Sequence, residues 1–442
     1  MADAESRFTA LAESLRASLQ AGEDFSLWYS AEESEFVRFN RAQVRQAGHV
    51  IQATGRLRLI RNDRSAEIAI TLSGDLDSDR QHLAEGLVQL RLVICQLPPD
   101  PYLQVERSAW HRRAVDDANL PDCTSVLAEI DKAANGLDLV GIYAAGPLYR
   151  GFANSFGALG WHAAHCFNFD WSLFHANHQA VKADYAGARW DAADFASRFS
   201  NARQQLEHLG KPVRHLQPGD YRAYLAPAAL DEVLGMLSWT GFSARALANK
   251  ESPLQRLQDG SASFSPLLNL DEQVAGALAP AFGPEGAPRC DVALVRDGKL
   301  AGQLVYPRSA REYGLEANCA DANEATQSLV MGPGTLPVDK VLEQLDHGLY
   351  IGNLWYLNWS DLPAARMTGM TRFATFWVED GQIQAPVDTM RFDDSLFNLL
   401  GDQLEALTQE RQLRLSSSTY GERQTWSALL PGALLGNLKL TL

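Results

Sequence analysis

"LVGIYAAGPLYRGFANSFGALGWHAAHCFNFDWSLF", residues 139–174, is aromatic, punctuated by glycine and mostly alternating in polarity. Successive side chains of a strand point to opposite faces, so a two-residue period sustained over this length reads as several long antiparallel strands. A parallel βαβ unit built to hold a nucleotide would carry a GxGxxG or P-loop, and neither occurs in it. The fold class expected from this stretch is α+β, with mostly antiparallel sheet.

Toward the N-terminus, Phe8, Leu11, Leu15 and Leu19 share one face of an opening helix that Gly22 stops. Leu57 and Leu59 alternate on one side of Asn62-Asp63, and Ile68, Ile70 and Leu72 on the other, which predicts a hairpin. Leu83, Leu87, Leu90, Ile94 and Leu97 predict a helix capped by Asp77 or Ser78 and ended by Pro98-Pro99. Toward the C-terminus, Phe195, Phe199, Ala202, Leu206 and Leu209 form another helix, stopped by Gly210.

"GKPVRHLQPGD" (210–220) is a Pro/Gly-rich break, and 442 residues exceed what one core usually supports. Two domains are expected: an N-terminal α/β sandwich with mostly antiparallel sheet over 1–213, and a β-rich, barrel-like domain with helices over 214–442. The second opens with a strand, "YRAYLAP", then a helix over 230–237. Hairpins are expected at Asp297-Gly298 and Asp380-Gly381, a helix over Val338–Leu345, and another through Leu396, Leu400, Leu404 and Leu407.

No apolar run reaches the roughly 18–20 residues of a membrane helix, and the N-terminus lacks the pattern of a signal peptide, so a cytoplasmic protein is expected. Five scattered cysteines, the last being Cys319, fit reduced thiols. A net charge of −15 without any Lys/Arg run disfavours nucleic acid.

His162, His165, Cys166, His175 and His178 are zinc-type ligands. Residues three apart on a strand diverge, however, so polar positions on a solvated sheet face are the reading preferred to a metal site on His162 and His165. No GxSxG elbow supports a serine nucleophile. The acid pairs Glu32-Glu33 and Asp393-Asp394 read as solvated. In "LDEVLGML" (230–237), Leu230, Val233, Leu234 and Leu237 share a helix face, leaving Asp231 and Glu232 to be explained.

Four stretches together resemble the TldD/PmbA family, described as heterodimeric metalloproteases and historically as modulators of gyrase. They are "SEFVRFNRAQVRQAG" (34–48), "LSGDLDSDRQHLAEGL" (72–87), "TGMTRFATFWVEDGQIQAPV" (368–387) and "SLFNLLGDQLEAL" (395–407). The resemblance implies an HExxxH zinc helix at "DEVLGM", with Asp231 and Met236 standing where that motif has histidines. Glu232 stands at its general base and Gly235 before the second histidine; the later cysteine ligand is missing too. That departure matches the family's PmbA/TldE-type subunit, which lacks the motif.

The implied function is a noncatalytic subunit holding no cofactor itself. It would pair with a TldD-like zinc protease that processes small or unfolded peptides. On this reading Gly235 permits close backbone packing, Glu232 is a surface or interface carboxylate, and an open strand edge in 368–387, with Phe376 and Trp377, contacts peptide or partner. Two alternatives stand beside it: an autonomous metal-dependent peptidase using Asp231, Glu232 and His162 or His165, and a homodimeric scaffold without enzymatic activity.

Overall fold

The computed structural model describes residues 2–116, 120–318 and 320–441, so Cys319 lies outside the described residues. A first sheet contains β1 (Asp24–Asn40), β2 (Gln43–Arg61), β3 (Arg64–Leu72), β4 (His111–Val115), β5 (Asp138–Asn154), β6 (Leu159–Phe174) and β7 (Ala180–Gly187). Its order is β3-β2-β1-β5-β6, and β4 and β7 share the far edge of β6. The opening stretch of sequence is the β5–β6 hairpin, antiparallel from Asp138↔Phe174 to Ala153↔Leu159 without a register shift.

Asn62 and Asp63 turn between β2 and β3 with φ of +50° and +56°, as that dipeptide predicts. Gly146 has φ +138°, and a Cβ there would lie 2.1 Å from the Glu33 carbonyl oxygen. Only glycine lets β5 pass that close to β1.

The sheet is covered on both faces, which explains why its strands are so apolar. On one face, α1 (Ala2–Ala17) and α2 (Leu76–Ile94) bring Phe8, Leu15, Leu83 and Leu90 against Leu27, Leu57 and Trp161. On the other, α3 (Cys123–Ala134) and α4 (Ala192–Leu209) pack Ile130, Phe195 and Phe199 on Phe167, Phe169 and Trp171. Burial of each such side chain contributes about 1.5–3 kcal/mol. The cap of α2 is Asp75, not Asp77 or Ser78: its carboxylate accepts from the Ser78 amide at 2.9 Å. Asp79 accepts from the amides of Ser73 and Gly74, drawing the helix start back.

The chain crosses to the second sheet between Leu209 and Gly219. That sheet contains β8 (Gly219–Leu225), β9 (Leu270–Glu272), β10 (Val292–Arg296), β11 (Lys299–Leu300), β12 (Ser328–Met331), β13 (Gly348–Asp361), β14 (Arg366–Glu379), β15 (Gln382–Pro386), β16 (Arg391–Ser395), β17 (Leu404–Leu415) and β18 (Ser427–Leu440). Pairing runs β18-β16-β14-β13-β8 and returns from β8 to β18, closing a ring. The barrel-like expectation is thus met, with both hairpin turns where Asp-Gly places them.

One element departs from expectation. Leu396, Leu400, Leu404 and Leu407 do not form one helix: a π-helical turn over Asn398–Asp402 leads directly into β17. Pairing with β18 claims Leu404 and Leu407, overriding their four-and-three spacing. Among the described residues, no helix is long and apolar enough to cross a membrane.

The segment joining β17 to β18, residues 416–426, lies across the first sheet. Arg423, 4% exposed, donates to the Ser34 hydroxyl at 3.1 Å, the Gly146 carbonyl at 3.3 Å and the Cys166 carbonyl at 2.8 Å. Glu32 accepts from Ser34 Oγ at 2.8 Å and from the Arg423 amide at 3.4 Å. The acid pairs are therefore not simply solvated: Glu32 and Asp394 are both buried, with Asp394 accepting from the Ser395 amide and the Asn398 side chain.

Candidate functional site at the motif helix

After β8, Pro227 at the first helical position starts α5 (Pro227–Gly235). Leu230, Val233 and Leu234 are buried in the barrel core, as their spacing predicts. Met236 and Leu237 join the same cluster, so the thioether is packed among apolar side chains. Gly235 corrects the expectation of close packing. It has ordinary helical φ of −56°, and a Cβ added there would meet nothing within 4 Å. Asp231 is partly covered and Glu232 exposed.

What faces Asp231 is Arg414 of β17. Its Nε lies 3.3 Å from Asp231 Oδ2, and its Nη1 makes a shorter contact with Asp184 of β7. Register places Asp184 opposite Asp170 of β6, and Asp170 pairs with Lys182 Nζ at 3.1 Å. One recess therefore draws charge from α5, β17 and the first sheet.

Burial, reinforced by neighbouring Glu232, pushes Asp231 up to about 7. Burial raises Glu232 as well, opposed by Lys182, and lowers Arg414 to about 10, opposed by Asp170. Poor solvation thus acts on both signs of charge.

These residues do not fit a catalytic zinc ion. Such a site needs three good donors and an open position. Here one motif position is a thioether inside the core, and the other is a carboxylate already facing a fixed cation.

The histidines do not complete the set. His162 and His165 are buried, not on a solvated face as expected. His162 Nε2 lies 2.9 Å from the Leu278 carbonyl, while His165 Nδ1 lies 2.6 Å from Asp116. His165 stands five residues before Asp170 on β6, roughly 17 Å at the usual strand rise. Among the described residues, one group of potential ligands lies within 4.8 Å of one another: Asp346, His347 and Asp380, all exposed, none of them expected from the sequence.

Phe376 and Trp377 do not lie on an open edge. β14 pairs with β13 on one side. On the other it pairs with β16 over 366–370 and β15 over 376–379, while Thr371 and Thr375 bond to Met390 and Val387. Phe376 is fully buried beside Tyr350, and Trp377 is half-buried under Arg214, whose guanidinium carbon is 4.2 Å from the ring centroid. The free edge is on β2: β3 covers only 53–61, leaving 43–52 without an outer strand partner among the described residues.

Arg414, Asp184, Asp170 and Lys182 have no motif to announce them. The available signal is Asp170 set between Phe169 and Trp171, a charge inside a strand whose neighbours are aromatic. A partly covered charge of this kind is retained with a partner, here Lys182 of β7.

Residues 218–441, just over half of the chain, match the family described as PmbA/TldA metallopeptidase C-terminal domain. No curated protein matches the chain. Among solved structures, TldE from Thermococcus kodakarensis is similar at 14% identity, with a TM-score of 0.77 over 98% of this chain and 100% of that one. A putative modulator of a DNA gyrase from Thermotoga maritima gives 13% and 0.76, again over 98% and 100%. A third, a putative modulator of DNA gyrase from Bacteroides thetaiotaomicron, gives 15% and 0.72 over 98% and 97%. These likenesses show the fold, and the match over 218–441 gives the family: the chain belongs to the PmbA/TldD family of metallopeptidase-related proteins.

Proposed function

We propose that this chain is a noncatalytic subunit, in the manner of TldE, that assembles with a zinc-bearing TldD-like subunit acting on small or unfolded peptides. The observation that carries this reading is the state of the motif helix: Met236 is in the core and Asp231 faces Arg414. With no donor set for zinc, the chain's contribution is structural, shaping the cleft in which the partner cuts. The likeness to a protein named TldE agrees with this reading.

The test is elemental analysis of the untagged chain, alone and mixed with a TldD-like subunit, together with a chelator-sensitive peptidase assay. Background zinc and no cleavage are expected from the chain alone, with zinc and activity appearing in the mixture at one-to-one stoichiometry. Near-stoichiometric zinc with chelator-sensitive cleavage by the isolated chain would sink the proposal. A self-associated chain that ignores the added subunit would instead favour the scaffold reading.

A further inference from the structure

A cleft of about 430 Å3 opens where the start of β1, the β2–β3 turn, the segment 103–107 and the helix Pro307–Tyr313 converge. Its volume is in the range of small-molecule sites. Arg61, Arg107 and Arg311 all line it. In a chain of net charge −15 these guanidiniums have no carboxylate within ion-pair distance among the described residues.

Each is held in place by neutral contacts or by chain geometry. Arg107 lies over the Phe156 ring, 4.7 Å from its centroid. Arg311 Nη1 donates to the Leu103 carbonyl at 3.3 Å. Arg61 ends β2, and the nearby Glu23 that it influences is already engaged by Arg91 at 2.8 Å. Two carboxylates share the lining: Asp24, which accepts from Ser155 Oγ at 2.9 Å, and Asp63 in the turn.

We propose that this cleft binds a small phosphorylated molecule, its phosphate taken by Arg61, Arg107 and Arg311. Guanidinium forks match the paired oxygens of a phosphate, and the three outnumber the two carboxylates of the same lining. Hydroxyl or amino groups on the same molecule would donate to Asp63 and Asp24.

The experiment is calorimetric titration of the full chain with pyrophosphate and with inorganic phosphate, at constant ionic strength set by chloride. Saturable one-to-one binding of at least one of the two is expected in the wild type. The double variant R61Q/R311Q should bind roughly a hundredfold more weakly, about tenfold for each arginine. R308Q serves as a control, because Arg308 is on the same helix but is paired with Asp100. It should bind as the wild type does.

Absence of saturable binding in the wild type would overturn the proposal. So would equal affinity in the double variant, or an equal loss in R308Q, which would mean attraction to general positive charge. Should the double variant not fold, R107Q, an exposed position, gives the same reading with a tenfold loss expected.

Discussion

Asp231 keeps its proton to about 7 in the folded chain, whereas an unfolded aspartate releases it near pH ~3.9. Between those values the folded state binds more protons, so Asp231 favours folding most at low pH. That contribution is lost as pH rises from about 4 to about 7 and is constant above. Asp231→Asn should flatten this slope and stabilise the chain at pH 8. The gain is about 1 kcal/mol, discounted because 35% of the side chain is open to solvent. Denaturant titrations at pH 5 and pH 8 measure it; an unchanged slope in the variant would contradict the assignment. Gly235→Ala tests the other unusual residue of the helix. With helical φ and open space around it, alanine should stabilise by about 0.5–1 kcal/mol, seen as a higher denaturation midpoint with unchanged m-value. At this scale the sequence exposed the two carboxylates of α5 but not their partner. Arg414 lies 183 residues from Asp231, and nothing local in "RQLRL" distinguishes it from any other strand arginine.

Elements whose signals are local were legible. The Asn62-Asp63, Asp297-Gly298 and Asp380-Gly381 turns carry their own backbone preference, and the first residue of each has positive φ, at +50°, +47° and +53° for Asn62, Asp297 and Asp380. The end of α4 at Gly210 is likewise written in place. β17 was not legible, because leucines spaced by four and three satisfy a helix equally well. The deciding partner, β18, is supplied by later chain. The same limit applies to β14, where alternation revealed a strand but not that both its edges are taken. Phe376→Ala should therefore act as a core truncation, costing about 3–5 kcal/mol in a denaturant titration. A loss below about 1 kcal/mol would return Phe376 to the surface. A charge at that position would report unfolding, not peptide contact.

For the whole molecule, antiparallel alternation and a Pro/Gly-rich break yielded two sheets and a β-rich second half, but not how firmly one half grips the other. The grip is Arg423, buried on the first sheet and bonded to Ser34, Gly146 and Cys166. Arg423→Ala would leave the Ser34 hydroxyl and the Gly146 and Cys166 carbonyls without their buried donor. It should cost about 3 kcal/mol, measured as a shift of the denaturant midpoint. If the two halves unfold as one, a single transition moves; if the segment is a loose appendage, the midpoint stays within about 0.5 kcal/mol of wild type.

The same segment orders events during synthesis. Arg423 leaves the ribosome 391 residues after Glu32, a delay of roughly 20–80 s at ordinary elongation rates. Through that interval the newly made first sheet lacks the Arg423 contacts to Ser34, Gly146 and Cys166, with the long free edge of β2 beside them. The nascent chain is thus most open to chaperones, and to mispairing with its neighbours on a polysome, until that segment is translated.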